Sequence, residues 1–209
     1  MNKTEALLKL KKELESRKDI PLISSPNDVV FGDGNPDSKI MFIGEAAGYH
    51  ESVQHKPFVG QAGKLLDKLI ASIGLNREDV YISNIVKTRP PENRDPSPEE
   101  IDAFKPYLDG EIDIIDPEII VTLGRFSMGK FLPFEKISGI HGKPRSIIWK
   151  GKERLVIPMY HPAAALRAGA IMRQLAQDFQ VIKQELEKLE MLDQQKQEEA
   201  RKPKQDSLF

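Results

Sequence analysis

The chain contains no cysteine among its 209 residues. That excludes disulfides, thiolate catalysis and any metal or iron–sulfur centre held by cysteine. A charge of one sign is lacking as well. The 31 Lys and Arg against 32 Asp and Glu leave a formal net charge of −1, so no global basic field announces a nucleic-acid partner, although local patches remain open. No apolar run approaches the length of a membrane span, and Met1-Asn2-Lys3-Thr4-Glu5 does not open like a signal peptide. A monomeric, cytoplasmic protein is the expectation. No internal repeat is present, and the length suits one α/β domain with a sizeable core plus tails.

What is present is an alternation of two hydrophobic periods. Short apolar runs at Ile40–Gly44, Val80–Val86, Glu118–Gly124 and Leu155–Tyr160 read as strands. Between and around them, helical spacing recurs over residues 4–18, 61–73, 97–115, 125–132 and from Ala163 to about Leu192. Ser97-Pro98-Glu99-Glu100 carries the signature of a capped helix start. The expected fold is a single-domain, three-layer α/β/α arrangement around a central four-stranded parallel sheet. Gly139 to Lys152 reads as a turn or hairpin around Trp149. The domain is expected to span residues 1–192, with 193–209 a polar, charged, flexible tail.

Three segments sit at the ends of those strands. Gly44-Glu45-Ala46-Ala47-Gly48 and then Pro57-Phe58-Val59-Gly60-Gln61-Ala62-Gly63 form a small-residue loop that carries a carboxylate and an aromatic ring. Asn84 opens a basic, proline-stiffened loop through Lys87, Arg89, Pro90, Pro91 and Arg94. Tyr160-His161-Pro162 is followed by Ala163 to Arg167 in a tight turn and helix start. In a parallel sheet the C-terminal strand ends share one edge, where ligands bind, so Glu45, Phe58, Asn84 and His161 can converge on one pocket.

These motifs resemble the uracil-DNA glycosylase superfamily, and within it the thermophile-type family 4, over roughly residues 13–185. The matching signatures are Gly44-Glu45-x-x-Gly48, Pro57-Phe58-Val59-Gly60-x-Ala62-Gly63, Asn84-x-Val86-Lys87-x-Arg89-Pro90-Pro91-x-Asn93-Arg94 and His161-Pro162-x-x-x-Leu166-Arg167. The resemblance implies a monofunctional enzyme that hydrolyses the uracil–deoxyribose bond in DNA and leaves an abasic site. The family usually ligates a 4Fe-4S cluster through four cysteines. Alignment on the flanking motifs puts Arg17, Ile20, Thr88 and Phe104 at those places, so the cluster is expected to be absent and no cofactor is implied. Ala47 stands where the family often has proline, and Tyr49-His50 where it often has acids.

The chemistry each residue can supply is specific. Phe58 offers a face for the flipped base, against a plain core role. Asn84 can accept from uracil N3–H and donate to O4, which cytosine presents with opposite polarity; the bland reading is a turn asparagine. His161 can donate to uracil O2 as negative charge builds there, or it can cap a helix. Glu45 can serve the water or the sugar cation, or it can cap the following helix. Gly44, Ala46 and Gly48 line the base site. Glu51, with the bulk of Tyr49, is expected to wall off the place of thymine's methyl group. Lys87, Arg89, Arg94 and Arg167 suit phosphates, and Leu166 suits a wedge into the gap left by the base. His50, His55 and His141 match no motif position that demands histidine. Gln205, Leu208 and Phe209 resemble the short peptide that docks on the bacterial sliding clamp. A glycosylase for hypoxanthine or xanthine and a non-catalytic damage-binding adaptor are the rival readings. The covalently trapping branch uses a histidine in the basic loop, and Lys87 to Arg94 contains none.

Overall fold

The computed structural model describes residues 1–201, with side chains to residue 198. Along the chain come α1 (Lys3–Ser16), β1 (Asp33–Gly34), β2 (Ile40–Gly44), α2 (Tyr49–Gln54), α3 (Gln61–Ser72), β3 (Tyr81–Asn84), α4 (Pro98–Ile115), β4 (Ile119–Leu123), α5 (Arg125–Phe131), α6 (Ile137–Ile140), β5 (Arg145–Trp149), β6 (Lys152–Met159), α7 (Pro162–Ala165) and α8 (Gly169–Arg201). Gln205, Leu208 and Phe209 lie outside the described residues.

The sheet corrects the expected one. It has six strands in the order β1-β3-β2-β4-β6-β5, and it is mixed. The four central strands are the expected parallel ones, but β1 pairs antiparallel with β3 and β5 antiparallel with β6 at the two edges. Physical reasons separate the found strands from the missed ones. β2 and β4 are buried along their whole length and therefore read as near-continuous apolar runs, broken only by Thr122. β1 is only two polar residues, and β5 has one face towards solvent. The hairpin around Trp149 is present: Lys150 and Gly151 both take positive φ, 46° and 84°, as a two-residue turn matched to the twist of its strands requires.

Side chains alternate across the strands and are covered on both faces. Met41, Ile43, Tyr81, Ile120 and Val156 pack with Leu14 of α1 and Phe104, Leu108 and Ile112 of α4. Ile40, Phe42, Ile82, Val121 and Ile157 pack with Leu66 and Ile70 of α3 and Leu175 and Phe179 of α8. α4 starts as its sequence suggests: Ser97 Oγ accepts from Glu100 N, and the Glu100 carboxylate accepts from Ser97 N at 2.8 Å. The last helix differs from its expected span. It begins at Gly169, after a break at residues 166–168, and continues past Leu192 to Arg201. Asp193 is tied to Lys39 of β2's approach, and the Gln, Glu and Lys that follow are strong helix formers without needing a buried face. No described helix is long and apolar enough to cross a membrane.

Candidate active site

The strand ends converge as the topology requires. Gly44 and Asn84 are register partners at the ends of β2 and β3, and β6 leads through Tyr160 into His161 and α7. Above this edge lies a cleft of about 310 Å³ whose lining includes Glu45, Ala46, Gly48, Glu51, Phe58 and His161, together with Arg94 and Arg167.

The floor is crowded in a way that explains its glycines. A Cβ on Gly44 would stand 2.4 Å from Asn84 Oδ1 and 2.5 Å from the Phe58 ring, so only glycine lets those two side chains share that space. Asn84 is 1% exposed. It lies behind the open cleft rather than on its wall, and its Oδ1 has no hydrogen-bond partner among the described residues. A buried, unpaired amide oxygen is costly unless a ligand completes it. The Phe58 ring lies over His161 with centroids 5.6 Å apart and planes at 30°.

His161 caps α7 with its own ring: Nδ1 accepts from Ala163 N at 3.1 Å. An accepting Nδ1 leaves the neutral imidazole with its proton on Nε2. Burial lowers the pKa to about 4, and the Glu51 carboxylate only partly opposes this. At neutral pH the side chain is therefore an uncharged Nε2–H donor.

Glu45 is half-buried. Burial, with Asp95 nearby, raises its pKa above the ordinary carboxylate value, and Arg125 pulls the other way. The helix-cap alternative finds no bond: α2 starts at the Gly48 cap without a side-chain hydrogen bond. Glu51 has a built role. Its Oε1 accepts from Val59 N at 2.9 Å and Gly60 N at 2.8 Å, which fixes the turn carrying Phe58 while the carboxylate still lines the cleft.

The basic residues divide. Arg94 lines the cleft while forking onto Glu100 at 2.6 and 2.9 Å. Arg89 donates to Asn93 Oδ1 at 2.8 Å and stacks on the exposed Tyr49 ring. Leu166 is 48% exposed at the helix break, beside Arg167. Lys87 corrects the expectation of a phosphate contact. It is fully buried and bonded to Glu111 and Ser83. Beyond the end of β3 at Asn84 the chain bends, and Lys87 turns in to Glu111 of α4. There Glu111 also accepts from Gly32 N, Tyr81 Oη and Ser83 Oγ. Arg77 and Arg125 are additions the motifs did not flag; each lies in a loop or helix start with no pattern around it. His141 pairs with Asp178 at 2.8 Å and packs on Tyr160, a structural setting.

The four places where the resembling family has cysteines do not suit an iron–sulfur cluster. Ile20 and Phe104 are core residues at 6% and 0% exposure. Arg17 donates to Tyr107 Oη at 3.1 Å and pairs with Asp19. Thr88 is buried with an unpaired Oγ1. None offers a thiolate, and among the described residues no group of three or more His, Asp or Glu is placed to hold a metal ion.

Residues 31–187 match the uracil DNA glycosylase superfamily. The chain is 47% identical over 190 residues to the type-4 uracil-DNA glycosylase of Sulfurisphaera tokodaii, covering 86% of this chain and 84% of that protein. It is 42% identical to the enzyme of the same name from Archaeoglobus fulgidus, over 85% of this chain and 92% of that one. It is 44% identical to that of Thermotoga maritima, over 70% and 76%.

Proposed function

The chain belongs to the uracil DNA glycosylase superfamily, it removes uracil from DNA by hydrolysing the N-glycosidic bond, and we propose that it acts as a monofunctional enzyme through Phe58, Asn84, His161 and Glu45. The observation that carries this assignment of roles is the crowding at Gly44. An unpaired, buried Asn84 oxygen and an aromatic face sit side by side there, next to a neutral imidazole donor. A planar base with an N–H on its edge completes all three.

The proposed steps are consistent with this geometry. Uracil leaves the stack and lies against Phe58. Asn84 accepts from N3–H and donates to O4. As the C1′–N1 bond breaks, its electron pair passes to the ring, and the charge on O2 is met by His161 Nε2–H. Water adds to C1′ and gives its proton to Glu45 or to solvent. Glu45 also stabilises the sugar cation. Solvent protonates the departing uracil. No amine takes part, which leaves an abasic site rather than a cut strand. Arg89, Arg94 and Arg167 hold phosphates, and Leu166 fills the vacated stack. We also assign the work to a monomer in the cytoplasm, without a bound cluster.

The purified, colourless protein, with no stoichiometric iron by elemental analysis, is expected to convert a single-uracil oligonucleotide to an alkali-labile product. Strand cleavage without alkali contradicts the monofunctional assignment. Iron at four per chain contradicts the cluster-free one. The sliding clamp is proposed as a partner of Gln205, Leu208 and Phe209. Deleting residues 205–209 is expected to abolish clamp binding measured by calorimetry and to leave excision from a free oligonucleotide unchanged; equal affinity of both forms rejects the assignment.

A further inference from the structure

Phe58 holds its ring at the base site from an unfavourable backbone. Its φ is +53°, a region that bulky residues rarely enter. Something outside the residue must keep it there. The Phe58 carbonyl accepts from Arg77 Nη1 at 2.9 Å, and the Pro57 carbonyl accepts from Arg77 Nη2. Nη1 is itself held at 2.8 Å by Asp67 of α3. On the other side, α3 presses on the same peptide: a Cβ on Gly63 would stand 1.9 Å from Phe58 O. Arg77 is steadied in turn by a short helical turn, Arg77–Asp79, in which Asn76 N donates to Asp79 Oδ2 at 2.7 Å.

Arg77 does not line the base cleft; it faces a separate polar hollow with Asp33 and Lys56. Its contact with the site runs through the Pro57–Phe58 backbone. Two neighbouring carbonyls that point the same way call for a rigid two-pronged donor, which a guanidinium supplies and an ammonium does not. We propose that Arg77 is a positioning residue for uracil recognition, its fork holding Phe58 in the left-handed conformation that presents the ring to the base. This rests on Phe58 being the stacking surface.

Inhibition by free uracil reads the base site, Phe58 with Asn84 and His161, without any contribution from the DNA backbone. R77A is expected to raise the inhibition constant roughly 10-fold, within the range of one base–aromatic stack, and F58A to raise it at least as much. Because Arg77 acts through Phe58, R77A added to F58A is expected to change the constant by less than about twofold. Affinity for an oligonucleotide with a stable abasic analogue is expected to stay within about twofold of wild type in R77A, since a missing base makes no stack. A general loss of structure would lower both affinities together. An unchanged uracil constant in R77A, multiplied losses in the double variant, or a parallel fall in abasic-site affinity overturns the proposal. If F58A itself leaves uracil inhibition unchanged, it is the stacking role that fails, which is a distinct result. Should R77A not fold, R77K takes its place: its flexible ammonium lacks the planar fork that fixes both carbonyls and Asp67 in one geometry, and wild-type inhibition in R77K overturns the proposal.

Discussion

Replacing Asn84 or His161 by alanine is expected to lower single-turnover excision of uracil at least roughly 100-fold, the scale of losing one preorganised transition-state hydrogen bond. The two losses have different physics. Asn84 is buried with its Oδ1 unpaired among the described residues, and the proposed role gives that capacity to the base. On that reading, removing it takes away both the N3–H acceptor and the O4 donor. His161 is held by Ala163 N at Nδ1, with burial keeping its pKa near 4. In the proposed role, this neutral donor with a fixed tautomer is already aligned for the charge that grows on O2. Asn84→Asp is expected to weaken the rejection of cytosine, because an acid can present the reversed edge pattern. Wild-type excision rates in both alanine variants would mean that the pocket is assigned wrongly.

Glu45→Gln is expected to slow the chemical step by roughly 100-fold, in the range for a positioned base, and to leave affinity for uracil-containing DNA within a few-fold. A carboxylate that serves the water or the cation acts in the transition state, so its loss falls on rate rather than binding. The pH dependence follows from the direction of its pKa. Glu45 must be ionised to accept a proton, and burial raises its pKa above the ordinary value. The acid limb of the rate profile is therefore displaced to higher pH than a solvated glutamate would give, and Glu45→Gln removes that limb. Stability moves the opposite way. A carboxyl whose folded pKa is raised binds more protons folded than unfolded, so its ionisation at neutral pH works against the fold. Glu45→Gln protein is expected to melt no lower than wild type at pH 7 and to lose that advantage as the pH falls below the carboxylate range. Equal losses of rate, DNA affinity and melting temperature would identify Glu45 as a structural group.

Much of the architecture was legible because burial writes itself into short runs. Ile40–Gly44 and, but for Thr122, Ile119–Leu123 are apolar because helices cover both their faces. Ser97-Pro98-Glu99-Glu100 encodes its helix start locally, and the bonds formed are the ones the letters imply. The edge strands were not legible. β1 is two polar residues joined to Tyr81 and Ile82 of a strand far along the chain, and β5 becomes a strand only by pairing with β6. The extension of α8 to Arg201 escaped for a related reason: a polar helix has no apolar stripe to announce it.

For the site, the sequence by itself determined which chemistry was available and roughly where. Its four motifs put a carboxylate, an aromatic ring, an amide and an imidazole at the ends of parallel strands, and the lack of cysteine removed cluster ligation by thiolate. Only the tertiary structure decided which charges face outward and which residues hold the others. Lys87 sits in a basic loop beside Arg89 and Arg94, yet its ammonium is buried against Glu111, 24 residues away in sequence. Arg77 looks like any loop arginine until its fork is seen on the Phe58 and Pro57 carbonyls. A side chain's periodicity and turn chemistry are local properties, read from a few neighbours. Whether a charge can leave water depends on a partner that the fold brings from elsewhere, and that partner is named nowhere in the surrounding sequence.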